Sequence, residues 1–154
     1  MTSDPQRSHF DLHVTGIGYL NRIREVKPRK GSTFHACSIN ALRGDGEAPE
    51  YTRFDLIIRG GKAQQRVMSL RDAVERQQKV IVAFKLGDIY PDLFTYESGE
   101  RKGQPGVAIK GRLLQINATT IDGIRVDWAD AGMPDETPDG IHEDGREAAD
   151  VQPD

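Results

Sequence analysis

The chain has 154 residues, 36% of them hydrophobic, with a single cysteine and a formal net charge of −3. That length suits one domain plus a tail, and the lone Cys37 excludes an intrachain disulfide. No apolar run reaches the roughly 18 residues of a membrane helix, and the first residues lack the apolar stretch of a secretion signal. The expected location is therefore cytoplasmic, with no membrane partner.

The small net charge hides a division. Residues 1–116 carry 19 Lys+Arg against 13 Asp+Glu, whereas residues 117–154 carry 2 against 11. A basic, patterned body followed by an acidic, unpatterned segment points to a domain that handles a polyanion, with an appendage of different purpose.

Residues 10–26 read as a first strand. Leu12 and Val14 alternate, then Gly16 and Gly18 interrupt, and the apolar phase moves to Ile17, Leu20, Ile23 and Val26. A phase change at glycines predicts a bulged, strongly bent strand there. Lys27 to Ser32 is a turn bearing three cations, and Thr33 to Leu42 is a second strand. Tyr51 to Arg59 is a third, with Phe54, Leu56 and Ile58 on one face and Tyr51, Arg53, Asp55, Ile57 and Arg59 on the other.

Gly60-Gly61 ends that strand and the period changes. Ala63, Val67, Leu70 and Val74 follow helical spacing, so one amphipathic helix is predicted over residues 62–77. Val80 to Leu86 is a fourth strand, residues 87–106 a long excursion rich in Gly, Asp and Pro, and Val107 to Ile116 a fifth strand. A short sixth strand is predicted near Ile124 to Trp128.

The order β-β-β-α-β-β is that of a five-stranded OB-fold barrel, a mostly β fold with one helix. The predicted organisation is a disordered N-terminus over residues 1–9, a domain over 10–128, and an acidic disordered tail over 129–154. From Ala129 onward there are nine acids, one arginine and three prolines, too little apolar surface to offset ordering entropy.

OB folds hold single-stranded nucleic acid on the face of their second and third strands, between the first-to-second and fourth-to-fifth loops. The first loop and its approach supply Arg22, Arg24, Lys27, Arg29 and Lys30, and the third strand supplies Tyr51, Arg53 and Arg59. The long excursion supplies Tyr90, Phe94, Tyr96, Arg101 and Lys102, flanked by Lys85, Lys110 and Arg112. Cations neutralise phosphates while aromatic faces stack on unpaired bases without reading sequence. Tyr90, beside Pro91, is the aromatic expected to be most exposed, and Phe34, Phe54 and Phe84 are expected in the core.

Catalytic and metal-binding constellations are weak, so no catalytic residue, cofactor or metal is assigned. His13, His35 and Cys37 lack the spacing of a zinc site. Gly16-Ile17-Gly18 lacks the third glycine of a dinucleotide loop, and Gly60-Gly61-Lys62 lacks the rest of a P-loop.

Four ordered runs resemble one family: Tyr19 to Val26; Tyr51 to Asp55; Lys85 to Asp88 with Phe94 to Tyr96; and Lys110 to Leu114. They are similar to the single-stranded-DNA-binding-like replication proteins encoded by integrative and conjugative elements of proteobacteria. The likeness spans residues 10–120. The weak constellations lead us to expect no enzyme, and the likeness implies an OB-fold protein that coats single-stranded DNA in replication or transfer of a mobile element, with replication or conjugation proteins as partners. Housekeeping single-stranded-DNA-binding proteins assemble as homotetramers, so a homo-oligomer, tetramer or dimer, is the implied state. Their acidic tails end in phenylalanine; this sequence reads Asp150-Val151-Gln152-Pro153-Asp154, so that recruiting tip is not matched. The alternatives are a protein-interaction scaffold in a conjugation or replication complex, and a single-stranded RNA binder.

Overall fold

Alternation settles which side of each strand is buried. In the computed structural model, which describes residues 10–130, Phe54, Leu56 and Ile58 are buried while Arg53 stays exposed. The elements in order are β1 (His13–Val26), β2 (Phe34–Arg43), β3 (Glu50–Ile58), α1 (Gly61–Ser69), α2 (Arg71–Glu75), β4 (Val80–Thr95), β5 (Pro105–Ile121) and β6 (Ile124–Arg125). The protein is mostly β, as its patterning predicts.

Five strands close into a ring. β1 pairs antiparallel with β2 and β4, β2 with β3, and β4 with β5. The seam is a parallel pairing of β3 with β5, from Phe54 opposite Ile109 to Ile57 opposite Arg112. Inside lie Leu20, Ile39, Leu56, Ile58, Val82, Phe84, Leu86, Leu113 and Ile116. Each contributes about 1.5–3 kcal/mol through burial. The helices add Ala63, Val67, Leu70 and Ala73 to the same core. Phe54 and Phe84 are core as expected, their rings 6.4 Å apart. Phe34 is only half-buried and stands outside the core cluster.

The predicted single helix is two. Leu70 separates them at φ −94°, ψ 0°, and its N–H reaches the Val67 carbonyl three residues back at 3.0 Å. The turn tightens there, so Ala73 is buried and Val74 only half-buried. Gly60 and Gly61 enter the helix with φ of 68° and 71°, a region where a side chain is strained.

The bend in β1 also lies elsewhere than expected. Its pairing with β2 slips between Asn21 and Arg24, and Arg22 takes a left-handed φ of 53°. The bulge is therefore at Arg22. Val14, Gly16, Gly18 and Leu20 keep one phase along the inner face, and Ile17 is 53% exposed. Gly18 is required by close approach: a Cβ there would lie 2.4 Å from the Asn40 carbonyl oxygen.

Much of the predicted excursion is strand. β4 continues to Thr95 and β5 begins at Pro105, so only residues 96–104 form the connection. Register breaks between Gly87 and Tyr90, where Asp88 has φ 55°, and pairing resumes with Tyr90 opposite Lys110 and Leu93 opposite Val107. A ribbon of two strands results.

Beyond β6 the chain returns along β5. Val126 N–H donates to the Thr119 carbonyl at 2.9 Å and Trp128 Nε1 to the Asn117 carbonyl at 3.0 Å. Arg66 of α1 donates to the Ile116 carbonyl at 2.6 Å, lies 4.8 Å from the Trp128 ring centroid, and grips both oxygens of Asp130 at 2.6 and 2.8 Å. That grip holds the Asp130 carboxyl below its usual range. Ala129 and Asp130 thus continue the strap, while residues 1–9 and 131–154 lie outside the described structure. Among the described residues, no helix is long and apolar enough to cross a membrane.

Candidate nucleic-acid interface

The outer face of β1, β2 and β3 is built in rows set by strand register. Tyr19 stands opposite Asn40, and Asn40 opposite Arg53. One step along, Asn21, Ser38 and Asp55 line up, and the parallel seam extends that row to Lys110 and then Tyr90. The third row runs from Arg24 through Ala36 and Ile57 to Arg112. Tyr51, opposite Leu42, closes the face at the other end.

Two aromatic rings stand on this wall. Tyr19 and Tyr51 approach to 6.1 Å between centroids with a tilt of 54°, and Tyr51 is 50% exposed. Tyr19 is not among the residues that the sequence singles out. It immediately precedes the buried Leu20, so strand alternation alone points it outward; a phase change placed at the glycines obscures that signal.

Three guanidinium groups gather beside the tyrosines. The bulge extrudes Arg22, and Arg24 Nη1 folds back to the Arg22 carbonyl at 3.0 Å. Desolvation, then the charges of Arg24 and Arg53, press the Arg22 pKa below its ordinary value, while Asp55 works the other way. The three like charges thus stand close enough to feel one another, an arrangement that an anion would relieve. Asp55 accepts hydrogen bonds at one oxygen, Oδ1, from Ser38 Oγ at 2.8 Å and from Arg53 Nε at 3.1 Å.

The other candidates divide. Lys27, Arg29 and Lys30 are all exposed between β1 and β2, adjoining the Arg22 bulge in the chain. On the ribbon, Phe94 and Tyr96 meet edge-to-face at 5.0 Å above Gly106, and Arg101 lies 5.5 Å from the Tyr96 ring centroid. Arg101 also donates to the Tyr96 hydroxyl at 3.2 Å, and Lys102 is exposed on the connection.

Several candidates are otherwise engaged. Lys110 pairs with Asp92 and Arg112 with Asp88, both at 3.0 Å, leaving their side chains 12% and 10% exposed. Arg59 stacks over Phe34 at 5.9 Å and is half-buried. Lys85 lies on the β1–β4–β5 side of the ring, paired with Thr15 and Gln115, away from the tyrosine rows. Tyr90 is a half-buried strand residue, not the exposed loop aromatic expected, because the ribbon's pairing draws it against Lys110. Cys37 faces the core, where burial pushes its thiol up to about 12.

The molecule is thus a small, mostly β protein whose closed ring carries a cationic wall bearing two tyrosines. Residues 3–131 match the family model described as Protein of unknown function (DUF3577), and the chain belongs to that family. The match takes in the ring and the strap and stops where the acidic segment begins. No curated protein and no solved structure matches the chain.

Proposed function

We propose that this protein binds single-stranded DNA without catalysing a reaction, through the outer face of β1, β2 and β3. The observation that carries the proposal is the conjunction of the Tyr19–Tyr51 pair with Arg22, Arg24 and Arg53 on one wall. Unpaired bases stack on the rings, and the guanidinium groups take the flanking phosphates. The wall is a sheet, with no helix presented for insertion into a duplex groove.

The ring order β1-β2-β3-β5-β4, the parallel β3–β5 seam and the helices between β3 and β4 support assignment to the OB fold. In that fold the β1–β2 loop and the β4–β5 ribbon flank the bound strand, which agrees with their cations and aromatics. The setting, replication or transfer of an integrative and conjugative element by a homo-oligomer, rests on the sequence resemblance alone.

Titration of labelled oligothymidine and of a duplex of equal length, each from low to high salt, tests the proposal. Tighter binding of the single strand is expected, with log affinity falling by about 0.7 per phosphate neutralised for each tenfold rise in salt. Equal affinity for both forms, or none for either, would overturn it.

A further inference from the structure

The wall carries one group that phosphate neutralisation does not need. Asp55 lies in the middle row with its side chain only 13% exposed, among cations that would otherwise face a polyanion undiluted. Its orientation is fixed. Ser38 Oγ, on a fully buried residue, and Arg53 Nε both donate to Oδ1. Among the described residues, Oδ2 accepts no hydrogen bond. A rigid carboxylate with one acceptor atom uncommitted therefore sits one row from Tyr19 and in the same row as Asn21.

We propose that Asp55 is a specificity-determining residue that reads the Watson–Crick edge of a base next to the one stacked on the tyrosines, favouring guanine. The inference rests on the single-stranded DNA reading of this wall. A carboxylate only accepts, so it rewards bases whose edges present donors. Guanine offers N1–H and the 2-amino group side by side. Thymine offers one N–H between two carbonyl oxygens that the carboxylate repels. Successive nucleotides of an extended strand are spaced by about the 6–7 Å that separates alternate residues of a β-strand, so a base stacked in the Tyr19 row brings its neighbour to the Asp55 row. Asn21 supplies a carbonyl and an amide in that row, and Arg53, tethered through Nε, keeps its remaining N–H groups for the phosphate.

The test compares oligothymidine with an alternating thymidine–deoxyguanosine oligomer of equal length by fluorescence anisotropy, on the full chain and on Asp55→Asn. The wild-type chain is expected to bind the guanine-containing strand on the order of fivefold more tightly, the low end for recognition of a base edge. Asp55→Asn is expected to lose that ratio, its affinities for the two strands becoming equal. Replacing deoxyguanosine by deoxyinosine, which lacks the 2-amino group, supplies a readout that needs no variant, and weaker binding is expected. Equal wild-type affinity for all three strands, or a guanine preference that survives Asp55→Asn, overturns the role of Asp55 and leaves single-strand binding intact. Failure to bind any of them overturns the reading beneath it.

Discussion

Arg66 holds both carboxylate oxygens of Asp130, 64 residues further along the chain, at 2.6 and 2.8 Å. The same guanidinium covers the face of Trp128 and donates to the Ile116 carbonyl. One side chain of α1 therefore fastens the strap that leads out of the domain.

The strap is expected to loosen in acid. The folded-state pKa of Asp130 is depressed by Arg66, so the pair's contribution is fully present above the unfolded aspartate value near 3.9 and disappears as pH falls through the lower folded value. The fluorescence of Trp128, the sole tryptophan, should shift to the red below about pH 4, ahead of loss of the strand signal in circular dichroism. Arg66→Ala should produce that shift at neutral pH and lower stability by about 1–2 kcal/mol from the missing carbonyl bond and cation–ring attraction alone. An unchanged emission spectrum in Arg66→Ala would show that the strap does not depend on this side chain.

Gly18→Ala is expected to be costly. Its Cβ would stand 2.4 Å from the Asn40 carbonyl oxygen and 2.7 Å from the Ala41 Cα, both backbone atoms of the paired strand. Neither gives way without opening the β1–β2 ladder, so a loss of about 3 kcal/mol is expected in urea unfolding. Gly46→Ala, where an added Cβ meets nothing within 4 Å, is the matched control and should change stability little.

On the tyrosine wall, stacking and charge should separate by salt. Tyr19→Ala and Tyr51→Ala should each weaken oligothymidine binding by about 1–3 kcal/mol with the salt slope unchanged. Arg22→Ala and Arg24→Ala should instead flatten the slope by about 0.7 for each phosphate left without its cation. Lys110→Ala and Arg112→Ala should alter the slope less, because Asp92 and Asp88 already neutralise those cations. Equal slope changes in both pairs would mean that the acids yield to DNA.

Cutting the chain after Asp130 removes eight of the nine acids beyond Ala129 but keeps the Arg66 pair. Tighter DNA binding at low salt is expected, fading as salt rises, because an internal polyanion has gone. A cut after residue 128 removes Asp130 as well and should also destabilise the strap. If the longer truncation product binds DNA no better than the full chain, the acidic segment does not compete for the wall.

Element order was legible because periodicity survives without tertiary information. The alternation of Phe54, Leu56 and Ile58 and the helical spacing of Ala63, Val67 and Leu70 follow from pleat and helix geometry. The β4–β5 ribbon was not legible. Gly87, Asp88 and Pro91 are turn formers by composition, yet Asp88 occupies a register break, and Pro91 is tolerated where the ribbon is exposed. The phase of β1 was hidden because a glycine facing inward leaves no apolar mark: Gly16 and Gly18 belong to the inner row with Val14 and Leu20.

By itself, the sequence determined the mostly β character, the order of elements and the separation of basic body from acidic segment, all properties of neighbouring residues along a chain. Only the tertiary structure decided which cations are committed. Lys110 and Arg112 look equivalent to Arg22 and Arg24 in the sequence, but ribbon pairing sets acids beside the first two, while the bulge leaves Arg22 among the charges of Arg24 and Arg53. Charge is a property of a residue; whether it is neutralised depends on what the fold brings within a few ångströms.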